Sequence, residues 1–402
     1  MATFEELKIA TNKIYTPTAP IKRDALFFGR KSQLSKIHEA VMQEGQHIIL
    51  YGERGVGKTS LANIVMNQYR GAATPNVTCN SDSSLNGIWK TIFKQLPYNI
   101  EHRKDVGFVV NQNQKDNIRK ITTMAELLDS QKDTSIDDIT GLLLIIADSQ
   151  VPVLCIFDEF DQVKKREVIQ GMSNIVKFCS DKVSNITIML VGIGNSINDL
   201  ILEHQSIERC IKQVSLEKMT DPELQEIVAN ANRILGMTMH TDVIKQIVYY
   251  SSGFPHYTHL LGKFTTLCAL DRNSLVVEIQ DFSCAIEKAL ENVYESIRNA
   301  YQKAIITTKS KSYFPQILTA CALAQTDEHG TFRASDLEDV LEQKIGLPIK
   351  MQAYQYHIGK LCSEERGEIL KKVKVSETKS RYRFSNPLFR GFLLLKHRKN
   401  NP

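Results

Sequence analysis

Two short stretches contain the residues whose types and spacing can do chemistry. The first is Gly52, Glu53, Arg54, Gly55, Val56, Gly57, Lys58 and Thr59, followed by Ser60, and it fits the pattern G-x-x-x-x-G-K-[ST]. Its glycines let backbone N–H groups turn inward around phosphate oxygens. The helix that follows offers its positive end, and Lys58 adds a mobile cation for the outermost phosphates. The Thr59 hydroxyl is a ligand for Mg²⁺. The second stretch is Asp158 and Glu159, which end an apolar run roughly a hundred residues downstream. Asp158 would hold the magnesium ion through water, and Glu159 would polarise an attacking water as a general base. Taken alone, a glycine-rich turn needs no ligand and an acidic pair is often a helix cap. Together, at this separation, they point to phosphate chemistry.

Positioning these residues takes an alternation of strands and helices. Residues 47–51 form a short apolar run that enters the glycine-rich turn, and 60–69 continue with Leu61, Ile64 and Val65 spaced for one helical face. Further strands are expected at 77–80, 153–157, 186–191 and 211–216, with helices near 84–96, 137–149, 163–180 and 196–209. The alternation predicts a parallel sheet flanked by helices. The polar segment 97–135 fits poorly and reads as an insertion or lid. After 216 the pattern turns wholly helical: Asp221, Pro222 and Glu223 start a helix whose apolar stripe stops at Gly236. From 312 the chain reads as three helices, at 314–324, 334–345 and 350–362, then two strand arms at 368–375 and 380–384 around a short polar tip. That is a winged-helix pattern.

At 402 residues, with 42% hydrophobic and 24% charged residues, the chain has the composition of a soluble globular protein of two or three cores. No apolar run approaches the ~20 residues needed to span a bilayer, and the first residues lack signal-peptide character. A cytoplasmic protein without membrane contact is expected. The eight cysteines form no CxxC pair and read as buried thiols, not as a zinc site or disulfide framework. The net charge of +5 is unevenly spread: residues 301–402 carry 18 Lys+Arg against 10 Asp+Glu, leaving 32 against 35 before them. The positive field lies in the C-terminal part.

The two motifs, the strand order they imply, the helical lid and the winged helix resemble AAA+ ATPases. Within these the resemblance is to the initiator group, of the origin-recognition and cell-division-control type, and covers about residues 22–395. It implies an α/β fold: a parallel-sheet P-loop AAA+ core at 1–216, an all-helical lid at 217–305 and a C-terminal winged helix at 306–402, with ATP and Mg²⁺ as ligands. It places Phe27, Phe28, Gly29 and Arg30, with Gln33 and Leu34, in the segment that lines the adenine pocket. Asn195, after Gly192, Ile193 and Gly194, takes the place of the residue that senses the γ-phosphate. Arg209, closing the helix before the fifth strand, takes the place of a finger that reaches a neighbouring subunit's γ-phosphate; a surface ion pair is the competing reading. The lid departs from this group. Where an arginine is expected, the chain has Ser252, Gly253, Phe254, Pro255, His256 and Tyr257. The Gly-x-Pro form is similar to signalling ATPases of the immune-receptor kind, in which the proline packs near adenine, and only His256 or Lys263 is left as a partial substitute for that arginine.

The expected function is an ATP-hydrolysing switch that couples nucleotide state to homo-oligomer assembly and to double-stranded DNA, engaged through residues 350–383. The alternatives are a signalling or antiviral-defence scaffold whose winged helix contacts protein, and a regulator of a transposase or loader acting on a protein effector.

Overall fold

The computed structural model describes residues 2–69, 71–96, 99–102, 120–124, 126, 135–193, 205–306, 312–327, 330–374 and 380–401. In chain order the elements are α1 (Phe4–Ile14), α2 (Lys31–Met42), β1 (His47–Tyr51), α3 (Lys58–Gln68), β2 (Asn76–Thr78), α4 (Leu85–Phe93), β3 (Asn99–His102), β4 (Lys120–Thr123), α5 (Ile136–Asp148), β5 (Val153–Asp158), α6 (Arg166–Lys182), β6 (Ile186–Gly192) and β7 (Ile211–Ser215). There follow α7 (Asp221–Leu235), β8 (Thr238–Met239), α8 (Thr241–Ser251), α9 (Pro255–Asp271), β9 (Val276–Val277), α10 (Ile279–Glu291), α11 (Glu295–Ile305), α12 (Phe314–Leu323), α13 (Met351–Leu361), β10 (Leu370–Lys374), β11 (Ser380–Phe384) and α14 (Leu388–Asn400).

Among the described residues, five strands form a parallel sheet in the order β2-β5-β6-β1-β7. Successive side chains of a strand point to opposite faces, so a strand buried on both faces reads as a continuous apolar run. Here Ile48 and Leu50 enter a core shared with Ile37 of α2 and Leu61 of α3, while Ile49 enters the opposite core with Trp89, Leu143 and Met172 from α4, α5 and α6. Strands β5 and β6 divide the same way, with Ile156 and Met189 on one side and Phe157 and Ile188 on the other. Two helical layers therefore hold the sheet rigid, and the ends of β1, β5 and β6 open on a common edge.

Several elements differ from the sequence expectation. Helix α1 was not anticipated; a capping box between Thr3 and Glu6 starts it, and it lies along α9 and α7. The region after 216 is not wholly helical, because the two-residue strands β8 and β9 pair in parallel. The helix expected over 334–345 is present but irregular, with 3₁₀ geometry at Ala334–Leu337 and π geometry at Val340–Lys344, and Gly346, at φ +70°, follows its end. In the expected insertion, β3 and β4 pair antiparallel; most of its other residues lie outside the described set. Of the eight free thiols, six are buried, but Cys284 is exposed on α10 and Cys362 is half-buried, so the uniform burial expected for them does not hold.

After α12 the chain closes with α13, the antiparallel β10–β11 hairpin and α14. Tyr354, Ile358 and Leu361 face the core from α13, while Gln352, Gln355 and Tyr356 are exposed.

Candidate nucleotide site

A cavity of about 730 Å³ opens at the C-terminal ends of β1, β5 and β6, where ligands of open parallel sheets bind. The loop between β1 and α3 forms one wall. Gly52 passes so close to the segment leaving β7 that a Cβ there would lie 2.2 Å from the Leu216 carbonyl oxygen, so no other residue fits. Arg54, Gly55, Val56, Gly57, Lys58, Thr59 and Ser60 all border the cavity. Lys58 Nζ donates to the carbonyls of Gly52 (2.9 Å) and Glu53 (2.8 Å). Burial pulls the Lys58 ammonium pKa down, against the opposing pull of Asp161, Asp158, Glu159 and Glu53. Ser60 Oγ accepts a hydrogen bond from the Ile21 N–H (3.1 Å), so it fastens the N-terminal segment over the site.

Asp158 and Glu159 border the same cavity from the end of β5. Glu159 sits at φ 53°, a left-handed conformation uncommon outside glycine, and its N–H donates to Asp158 Oδ1 at 2.9 Å. The turn presents two successive carboxylates to one space, where an extended strand would send them to opposite faces. Thr59 and Asp158 make a hard-oxygen pair of the kind that fits magnesium, which takes one or two protein oxygens and completes its shell with phosphate and water. Bound there, the ion would neutralise charge on the phosphates. Among the described residues there is no cluster of three or more His, Cys, Asp or Glu able to hold a metal alone.

The remaining expected residues are spread differently. Phe27, Phe28 and Pro255 border the cavity. Asn195 lies outside the described residues. Arg209 is 73% exposed and pairs with Asp181 at 3.0 Å, at the start of β7. Since β1 and β7 run in parallel with His47 opposite Ile211, it stands at the far end of the sheet, roughly 13 Å of strand away from the phosphate loop of its own chain. His256 borders the cavity and bonds Pro17; Lys263 lies over the Phe264 ring instead.

Other contacts of the site gave no sequence signal, including those of Arg30, expected only as part of the segment that lines the adenine pocket. Asp161 Oδ1 accepts from the Ile193 N–H (2.8 Å), tying the exit of β5 to that of β6. Arg30, buried and at φ 61°, reaches the Val56 carbonyl (3.2 Å) and the Glu217 carbonyl, bracing the phosphate loop against the exit of β7. The C-terminal part also reaches the cavity. Asn386 and Leu388 line it, and a Cβ on Gly55 would lie 3.0 Å from Leu388 Cδ2. Tyr257 Oη donates to the Leu388 carbonyl at 2.5 Å, and Lys218 stands 4.0 Å from Glu53. No residue pattern signals these contacts, since they join residues more than a hundred positions apart.

Residues 41–201 match the family described as an AAA domain. That stretch contains both the phosphate loop and the Asp158–Glu159 pair. No curated protein matches its sequence. Among solved structures it is similar in fold to the Walker-type ATPase PABY2304 of Pyrococcus abyssi, at 16% identity and a TM-score of 0.55, over 95% of this chain and 99% of that one. It also aligns with the Aeropyrum pernix ORC2 protein in ADPNP–ADP complexes, at 13% identity and TM-score 0.49, over 97% and 98% of the two chains. The Aeropyrum pernix ORC1 protein in complex with DNA aligns at 12% identity and TM-score 0.47, over 95% of each. Among the described residues no helix is long and apolar enough to cross a membrane.

Two buried histidines make this fold acid-sensitive. Burial lowers the pKa of His47 and of His259 to about 4, whereas in the unfolded chain both would titrate near ~6.5. The unfolded state then binds more protons between these values, so stability is full above ~6.5 and falls as pH drops through that window. Each ring is expected to cost about 2 kcal/mol at pH 5. A thermal unfolding midpoint that is the same at pH 7 and pH 5 would contradict this.

Proposed function

We propose that the protein is an ATP-binding and ATP-hydrolysing switch in which the nucleotide controls how the C-terminal helices and hairpin are held. The observation that carries this reading is the packing of Leu388 on the phosphate loop at Gly55, with Asn386 on the cavity wall. A triphosphate filling the cavity would press on the contact that docks α14, and hydrolysis would relax it. Thr59 and Asp158 are the magnesium ligands of this reading, Glu159 the general base, and Lys58 the phosphate cation. The cavity residues support the binding half; the coupling half is tested by mass photometry with ADP, with ATP, and with ATP plus duplex DNA. Nucleotide-dependent change in mass supports the switch, and identical mass distributions in all three would count against it.

The DNA reading places a winged helix on duplex phosphates through α13 and the hairpin. Lys371, Lys372 and Lys374 are exposed along β10. Arg381 belongs to a different group: it bonds the Thr331 carbonyl at 2.8 Å and pairs with Asp327 at 3.2 Å, so it supports the hairpin. Lys360 is paired with Glu365 at 3.0 Å. Lys379 lies outside the described residues. Reversing Lys371, Lys372 and Lys374 to Glu is therefore expected to weaken all duplexes alike and make the salt dependence shallower, by a slope of roughly 0.9 per lost phosphate contact. Fluorescence anisotropy on two unrelated duplexes reads this, and no binding at low salt in any nucleotide state would favour a protein-contacting C-terminal part.

Arg209 can act only on another subunit, given its place at the far end of the sheet. In that role, specific ATPase activity rises with protein concentration and Arg209→Ala flattens the rise. A flat wild-type curve unchanged by the substitution leaves the Asp181 ion pair as its whole role.

A further inference from the structure

The helices that follow β7 carry two cysteines that the nucleotide site does not use. Cys268 lies near the end of α9 and Cys284 in the middle of α10, and these two helices pack closely on one another. Positions i, i+3 and i+4 of a helix share one face. Asp271 therefore stands on the Cys268 face of α9, and Lys288 on the Cys284 face of α10. The ion pair between them, Lys288 Nζ to Asp271 Oδ2 at 3.0 Å, turns those faces toward each other. The thiols meet there: Cys284 and Cys268 are within hydrogen-bond reach, and the Lys288 ammonium reaches Cys268 as well. Cys284 is exposed, whereas Cys268 is buried.

The two thiols differ in their chemistry. Burial, with the second thiol beside it, pushes the Cys268 pKa up to about 12, so it stays protonated and is a poor first nucleophile. The hydrogen bond to Asp271 holds the Lys288 ammonium above its ordinary pKa, so a full positive charge stays one helical turn from Cys284. A nearby cation and solvent access are what make a thiolate available to a dissolved oxidant. The other cysteines lack this combination: Cys79, Cys155, Cys179, Cys210 and Cys321 are buried, and Cys362 is half-buried. We propose that Cys284 and Cys268 are a peroxide-responsive pair that closes to a disulfide between α9 and α10. The Cys284 thiolate attacks one oxygen of hydrogen peroxide and the O–O bond breaks. Cys284 becomes a sulfenic acid, and the hydroxide released takes up the proton that the thiol had lost, giving one water. The Cys268 sulfur then attacks the Cys284 sulfur, the S–O bond breaks, and the Cys268 proton leaves with the hydroxyl as a second water. Two thiols give up two electrons and the peroxide takes them. The bond staples α9, whose Pro255 borders the cavity, to α10, which packs on α14.

Mild hydrogen peroxide on the reduced full chain tests this, read by unreduced peptide mapping in a mass spectrometer and by counting free thiols in denaturant. The wild type is expected to lose two of its eight thiols, to yield a linked Cys268–Cys284 peptide pair, and to recover both thiols with dithiothreitol. Cys284→Ser should lose none under the same treatment. Cys268→Ala, which fits the buried position without overpacking, should stop at the sulfenic acid, trapped by dimedone at Cys284. A wild type that keeps all its thiols overturns the proposal, as does a disulfide elsewhere, such as Cys321 to Cys362. A Cys284→Ser variant that loses thiols as fast as the wild type overturns it too. Should Cys268→Ala fail to fold, Cys284→Ser decides alone, because its site is exposed and the substitution changes one atom.

Discussion

Lys58→Ala is expected to weaken ATP and ADP binding about 100-fold or more. The size follows from the charges around it. Asp158, Glu159, Asp161 and Glu53 all act on the Lys58 ammonium. The other nearby cations are placed differently: Arg30 is committed to backbone carbonyls, Lys218 stands by Glu53, and Arg54 is exposed. Removing Lys58 therefore deletes a phosphate ligand and turns the floor of the cavity into a cluster of carboxylates that repels the polyanion. The fold should survive, because Gly52 and Glu53, whose carbonyls Lys58 leaves, are only partly buried. Calorimetry decides it: a variant with wild-type affinity would show that phosphates do not bind at this loop.

Glu159→Gln should leave affinity for ATP within a factor of about two and lower turnover by roughly 10²–10⁴, the range contributed by a positioned general base. Gln has the shape of Glu and the same backbone demands, so the left-handed turn at φ 53° and the bond from its N–H to Asp158 Oδ1 are retained. The amide cannot accept the proton that a water gives up as it attacks. Steady-state phosphate release, compared with ATP affinity on the same preparation, separates the two effects. Normal turnover in this variant would move the base elsewhere, with Asp161 the next carboxylate on the cavity wall.

The sequence by itself determined the phosphate loop, the Asp158–Glu159 pair and the parallel sheet that joins them. These are local: a glycine spacing, an apolar run buried on both faces, and a carboxylate at a strand end all express their physics within a few residues. Helix α7 was legible for the same reason, from the proline at its start and Gly236 at its end. What tertiary structure decided is everything that depends on distant residues meeting. Asp161 looks like an ordinary surface charge in sequence and Arg30 like one more residue of the adenine-lining segment, yet Arg30 is buried among carbonyls and Asp161 clamps Ile193, because folding brings the exits of β5, β6 and β7 to one edge. Arg381 is, in sequence, one more basic residue of the positively charged C-terminal part, and only the fold sets it beside Thr331 and Asp327. The rings of His256 and His259 bond backbone groups at Pro17 and Thr16, 239 and 243 positions away. Leu388 on Gly55 joins the two ends of the chain. No pattern of residue types encodes such a contact, because burial of an apolar side chain is non-directional and names no partner; the packing of the whole chain selects it.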